Sequence, residues 1–212
     1  MKLFLNLFLL AACFSTTCLA QRNDSIVRRI VLVGDAGSLT KGEQPVSQAI
    51  KKNVPIDERT TIIYLGDNIY KVGLPDDAYV GYQQARIVLD SQVAIVKNTA
   101  AKVYMIPGNH DWNNGGPGGY DAVLREQLYV DLLDIKNVKF YPEGGCPGPV
   151  EVPIGEDILL LIIDSQWWIH PFDKPGIESD CPYKTKDEVL AQITDILARN
   201  YKKLVIFATH HP

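Results

Sequence analysis

Five short segments of this sequence carry residues able to bind metal or move protons. They read Gly34-Asp35-Ala36-Gly37, Gly66-Asp67-Asn68-Ile69-Tyr70, Gly108-Asn109-His110-Asp111, Asp164-Ser165-Gln166 and Thr209-His210-His211-Pro212. Asp35, Asp67, Tyr70, Asn109 and His210 offer carboxylate, phenol, amide and imidazole donors, which suit Fe, Mn or Zn better than a thiolate-loving metal. A carboxylate between other such donors can bridge two ions. Two ions about 3.5–4 Å apart would clamp a phosphate for in-line displacement. The physical need is charge: a phosphate ester and hydroxide are both anions, and dense positive charge lets them meet. The glycines before Asp35, Asp67 and Asn109 let the backbone turn close to an ion.

Each segment follows an apolar run. The runs are residues 26–33, 60–65, 102–106, 158–163 and 204–208, and their near-continuous apolar character predicts strands buried on both faces. Helical periodicity falls between them at 46–52, 76–98, 120–133 and 185–201. In the second helix Val80, Ala85, Val88, Leu89, Val93 and Val96 form one stripe; in the last, Val189, Ile193, Ile196 and Leu197 do so. Alternating strands and helices predict an α/β sandwich, in which ligands gather outside the carboxyl ends of strands. Residues 138–152, rich in Pro and Gly, are expected to hold a short hairpin.

The 212 residues are 46% hydrophobic and 22% charged, which excludes a disordered tail or a fibre. The net charge of −4 leaves no broad cationic surface, so no nucleic-acid partner is expected and any phosphate must be bound locally. At the N-terminus, Lys2 precedes a stretch from Leu3 to Cys13 that is apolar except for Asn6, as in an export signal. Two processing readings stand. Cleavage after Ala20 would release a secreted chain, and a lipobox at Leu10-Ala11-Ala12-Cys13 would leave a lipid anchor on Cys13. Either places the protein outside the cytoplasm: periplasmic, envelope-bound or secreted. Cys146 and Cys181 remain, in Pro/Gly-rich loops, and are expected to pair in an oxidising compartment.

Taken together, the motifs around Asp35, Asp67, Asn109 and His210 resemble those of the calcineurin-like metallophosphoesterase superfamily. Tyr70, three residues after Asp67, is similar to the tyrosine of its purple acid phosphatase branch, especially the small tartrate-resistant type. The resemblance implies a β-sandwich flanked by helices in four αββα layers. It implies two metal ions, Fe with Fe, Zn or Mn: Asp35 and Tyr70 on ferric iron, Asp67 bridging, Asn109 and His210 on the second ion. His110 would act as acid or phosphate contact, oriented by Asp111, while a metal-bound hydroxide attacks phosphorus. The implied activity is hydrolysis of phosphate monoesters on a small molecule or protein. A phosphodiesterase or nucleotidase of the same superfamily is the alternative, as is a non-catalytic module at the start of a larger envelope protein.

The superfamily closes its site with Gly-His-x-His, which the four histidines here do not form. The resemblance therefore implies a domain spanning residues 21–212 that continues past Pro212, with its last edge strand still to come. Asp164 is expected to cap the fourth strand end. Trp167, Trp168, His170 and His211 are expected along the rim, with His170 either packed at the surface or offering a substrate contact. Residues 113–119 form a Gly-rich rim loop without the Lys-Ser/Thr ending of a nucleotide-binding loop.

Overall fold

The computed structural model describes residues 25–212. The export signal, both processing readings, Cys13 and Cys18 lie outside the described residues. In chain order the elements are β1 (Arg29–Val33), α1 (Pro45–Asn53), β2 (Thr60–Tyr64), α2 (Tyr82–Val93), β3 (Lys102–Met105), α3 (Gly119–Leu132), β4 (Val138–Phe140), β5 (Val150–Pro153), β6 (Ile158–Ile162), α4 (Ser165–Ile169), α5 (Lys186–Arg199) and β7 (Leu204–Ala208). Strands β1 to β4 form one parallel sheet in chain order. In the second sheet β6 is central, antiparallel to β5 and parallel to β7.

Side-chain alternation along the strands explains the layering. Ile62, Tyr64, Val103 and Met105 turn one way and pack with Ala85, Leu89, Val93, Val123 and Val130 of α2 and α3. Ile63, Tyr104 and Ile106 turn the other way and meet Val152, Leu160, Ile162 and Ala208 of the second sheet. The opposite faces of β6, Leu159 and Leu161, pack on Ile196 of α5. Strands apolar on both faces thus need a cover on each side, and the result is the expected αββα order. Helix α5 starts on a reciprocal cap: Thr185 Oγ1 accepts from Glu188 N at 3.2 Å, and Glu188 Oε2 accepts from Thr185 N at 3.2 Å. No helix among the described residues is long and apolar enough to cross a membrane.

Three expectations need correction. The 76–98 helix is shorter, because turns occupy both of its ends and Val80 is 97% exposed instead of joining the stripe. The 138–152 stretch holds no hairpin: β4 pairs with β3 in the first sheet, while β5 pairs with β6 in the second. Leu197, expected on the buried face of α5, is 39% exposed. The predicted disulfide is present between Cys146 and Cys181, with Cα atoms 5.6 Å apart, and it ties the β4–β5 loop to the segment before α5.

Candidate metal centre

Parallel strands β1, β2 and β3 place the first three motifs side by side at their carboxyl ends. Backbone bonds sew these loops together: Asp35 N donates to Gly66 O at 3.2 Å, and Tyr70 N to Gly37 O at 3.0 Å. Strand β7 brings the fourth motif in from the other sheet. Space for it exists only because two residues lack side chains. A Cβ on Gly66 would stand 2.7 Å from His210 Nδ1 and 2.8 Å from the Gly108 backbone, and a Cβ on Gly108 would strike the Asp67 carboxylate.

The donors expected from sequence converge in two linked groups. Tyr70 Oη donates to Asp35 Oδ1 at 2.7 Å. His210 Nε2 lies 3.0 Å from Asn109 Oδ1 and 3.4 Å from Asp67 Oδ1. Burial, then the bond to Asp35 and the nearby Asp67 charge, push the Tyr70 phenol above its usual range. Asp67 is 3% exposed and Asp35 is open to solvent, so the site is a shallow basin with a buried carboxylate in its floor.

This donor set fits a metal. His210 Nδ1 faces Leu65 O at 2.9 Å, which places its proton there and turns the Nε2 lone pair toward Asn109 Oδ1 and Asp67 Oδ1. Three electron-pair donors then point at one region. Among the described residues, the only ion-pair partners of Asp67 are His110 and His210, and no Lys or Arg reaches it. Asp67 Oδ1 accepts from His110 N at 3.0 Å, and a cation would answer the rest of this buried charge. No group of three or more His, Cys, Asp or Glu that could hold an ion is present among the described residues; the set that converges is Asp67, His210 and the Asn109 amide, with the Asp35–Tyr70 pair beside them.

His110 and Asp111 part company. His110 Nδ1 lies 2.6 Å from Lys71 O, its ring stands edge-on to Tyr70, and its Nε2 is 3.9 Å from Asp67 Oδ2. Asp111 makes no hydrogen bond to that ring. It is wholly buried, and its oxygens accept from Gly108 N at 2.7 Å, Ile69 N at 3.1 Å and Asn68 N at 3.2 Å. The expected orienting role of Asp111 is therefore corrected: the Lys71 carbonyl orients His110, and Asp111 pins the second and third loops together. Burial, opposed by those amides, pushes the Asp111 carboxyl up to about 6.

The remaining expectations divide. Asp164 caps α4 by accepting from Trp167 N at 2.9 Å, and it also accepts from Trp112 Nε1 at 2.9 Å. Burial pushes its carboxyl up to about 7. His170 is 2% exposed against the Trp112 ring, so it is an interior residue and not a rim contact. Trp167 is also buried, its Nε1 held by Pro175 O at 2.9 Å. His211 sits beside Ser165, with Nδ1 3.0 Å from Oγ. The Gly-rich loop braces the third motif, as Gly115 N donates to Asn109 O at 3.0 Å.

Sequence reasoning missed Gln44, Gln92 and Glu126. All three are buried, and Gln92 and Glu126 sit on the inward faces of α2 and α3. A polar residue inside an apolar stripe was the available signal.

A two-sheet αββα sandwich with carboxylate, amide and imidazole donors at neighbouring strand ends is an arrangement suited to a metal-dependent phosphoester hydrolase. A family model described as calcineurin-like phosphoesterase matches residues 28–212, and the chain belongs to that family. Its members generally bind two metal ions. No curated protein matches the chain.

Proposed function

We propose that this protein hydrolyses phosphate monoesters as an acid phosphatase of the purple type, acting outside the cytoplasm on a phosphorylated small molecule or protein. The observation that carries this reading is the Tyr70 phenol placed 2.7 Å from Asp35 Oδ1, next to the Asp67 carboxylate. Asp35 and Tyr70 would hold iron, Asn109 and His210 a second ion of Fe, Zn or Mn, and Asp67 both. Bound ions supply the positive charge and the acidified water that phosphoester hydrolysis needs.

The chain's own groups do the rest. Leu65 O holds His210 in the tautomer that presents Nε2 to the site. Lys71 O holds His110 so that Nε2 faces the basin, where it can keep a proton or meet a phosphate oxygen. Asp111 keeps the Asp67 and Asn109 loops at fixed spacing.

The test uses the full-length protein supplied with iron and zinc. It should cleave p-nitrophenyl phosphate faster than bis(p-nitrophenyl) phosphate and show a purple absorbance that vanishes in Tyr70→Phe. Faster cleavage of the diester would replace this reading with a phosphodiesterase. Inertness toward both esters would leave a binding module.

A further inference from the structure

Two residues at the heart of the basin adopt backbone conformations that L-residues seldom take. Asp35 has φ 56° and Asp67 has φ 55°. Neither is glycine, so each must be held there by its surroundings. The residues that follow them, Ala36 and Asn68, are buried, and their carbonyls point inward.

One side chain reaches both carbonyls. Gln92, on α2, is 0% exposed and sits among Ala85, Val88, Leu89 and Val93. Its Nε2 donates to Ala36 O at 3.1 Å and to Asn68 O at 3.0 Å. Both partners are carbonyls, so the atom facing them is the nitrogen and both of its protons are used. Gln92 Oε1 has no hydrogen-bond partner. The side chain is thus engaged through its two donors alone. Gln44 Nε2 adds a bond to Ala36 O at 2.7 Å but does not touch the second loop.

We infer that Gln92 is a positioning residue that fixes the spacing of Asp35 and Asp67 by clamping the carbonyl immediately after each. The inference rests on the reading that these two aspartates hold metal. Helix α2 otherwise meets these loops only through apolar packing, with Ala36 and Ile69 in the same cluster as Ala85, Leu89 and Val93, and apolar contact does not fix the direction of a carbonyl. Through Gln92, α2 fastens the first loop to the second, as Asp111 fastens the second to the third. A metal site needs its ligands preset, because ordering them on binding would consume affinity.

The experiment titrates Mn2+ into the metal-free full-length protein by calorimetry and follows thermal unfolding of the same samples. Gln92→Met keeps the length of the side chain and removes both donors. It should weaken Mn2+ binding by about 10–100-fold, the range for residues that orient metal ligands. Leu89→Ala, a buried neighbour on the same helix, should lower the melting temperature without weakening binding beyond twofold. Gln92→Asn keeps the amide on a shorter stem that reaches one carbonyl at most, and it should fall between wild type and Gln92→Met. It also serves if Gln92→Met does not fold. Wild-type affinity in Gln92→Met or Gln92→Asn overturns the clamp, as does an equal loss in Leu89→Ala. Failure of the wild type itself to bind Mn2+ overturns the metal reading of the basin instead.

Discussion

Replacing both members of the Cys146–Cys181 pair with alanine should cost the protein a large part of its stability. The bridge spans a sequence separation of 35 residues. Closing a loop of that length in the unfolded chain removes about 13 cal/mol/K, or about 4 kcal/mol at 25 °C in the chain-entropy account. Typical domains have only about 5–15 kcal/mol in total. At this size each kcal/mol moves the melting temperature by roughly 2–4 °C, so the double variant should melt roughly 8–15 °C lower. Guanidinium unfolding of wild type, of Cys146→Ala/Cys181→Ala, and of wild type in excess reductant measures the effect, and the last two should coincide. The bridge lies away from the metal donors, so Mn2+ affinity at low temperature should be retained. A loss under about 1 kcal/mol would refute the reasoning, because it would mean that the open chain gains no freedom from losing the tie.

Other outcomes follow from the basin and its supports. Asp67→Asn keeps one oxygen for the His110 N–H, 3.0 Å away, so the fold should survive while activity falls by more than about 100-fold in a p-nitrophenyl phosphate assay. Tyr70→Phe removes a bond to a solvent-open carboxylate, so denaturant unfolding should shift by no more than about 1 kcal/mol. Glu126 is fully buried with no partner at either oxygen; burial, then the Asp111 charge, pushes its carboxyl well above the ordinary range. An acid raised in the fold contributes stability that is fully present below its unfolded pKa and is lost as pH rises through the folded value. Between those two pH values the slope is about 1.4 kcal/mol per unit. Glu126→Gln should therefore melt close to wild type at pH 4 and above it at pH 8; equal pH profiles by thermal unfolding would refute the assignment.

The parts of this molecule that could be read from sequence are those in which one local rule sufficed. Residues 62–65 and 103–106 are apolar without interruption, and a run that short, followed by a glycine turn, suits a strand covered on both sides. The donors at their ends then follow from the polarity of parallel strands. Where two rules competed, reading failed. Val80 fits the stripe of α2 but lies in the turn before it, and periodicity alone cannot see where hydrogen bonding begins. The stretch from 138 to 152 contains two strands close in sequence, which suggests a hairpin; pairing went instead to different sheets, a choice made by tertiary partners that no local pattern carries.

Asp111 shows the same limit within the site. The resemblance implied that it orients His110, its neighbour in sequence. In the fold a carboxylate that is fully buried must be answered by donors, and the nearest ones are the three backbone amides of the loops it joins. Gln92 follows from the same principle in reverse: two buried carbonyls, stranded by the left-handed turns at Asp35 and Asp67, require a donor, and α2 supplies one from within its apolar face. In this chain the candidate metal donors are written in motifs, but the supports that hold their loops are written as polar exceptions to hydrophobic patterns. An amphipathic stripe interrupted by one Gln or Glu, on a helix that covers strand ends rich in glycine and aspartate, is the sequence sign of such a support.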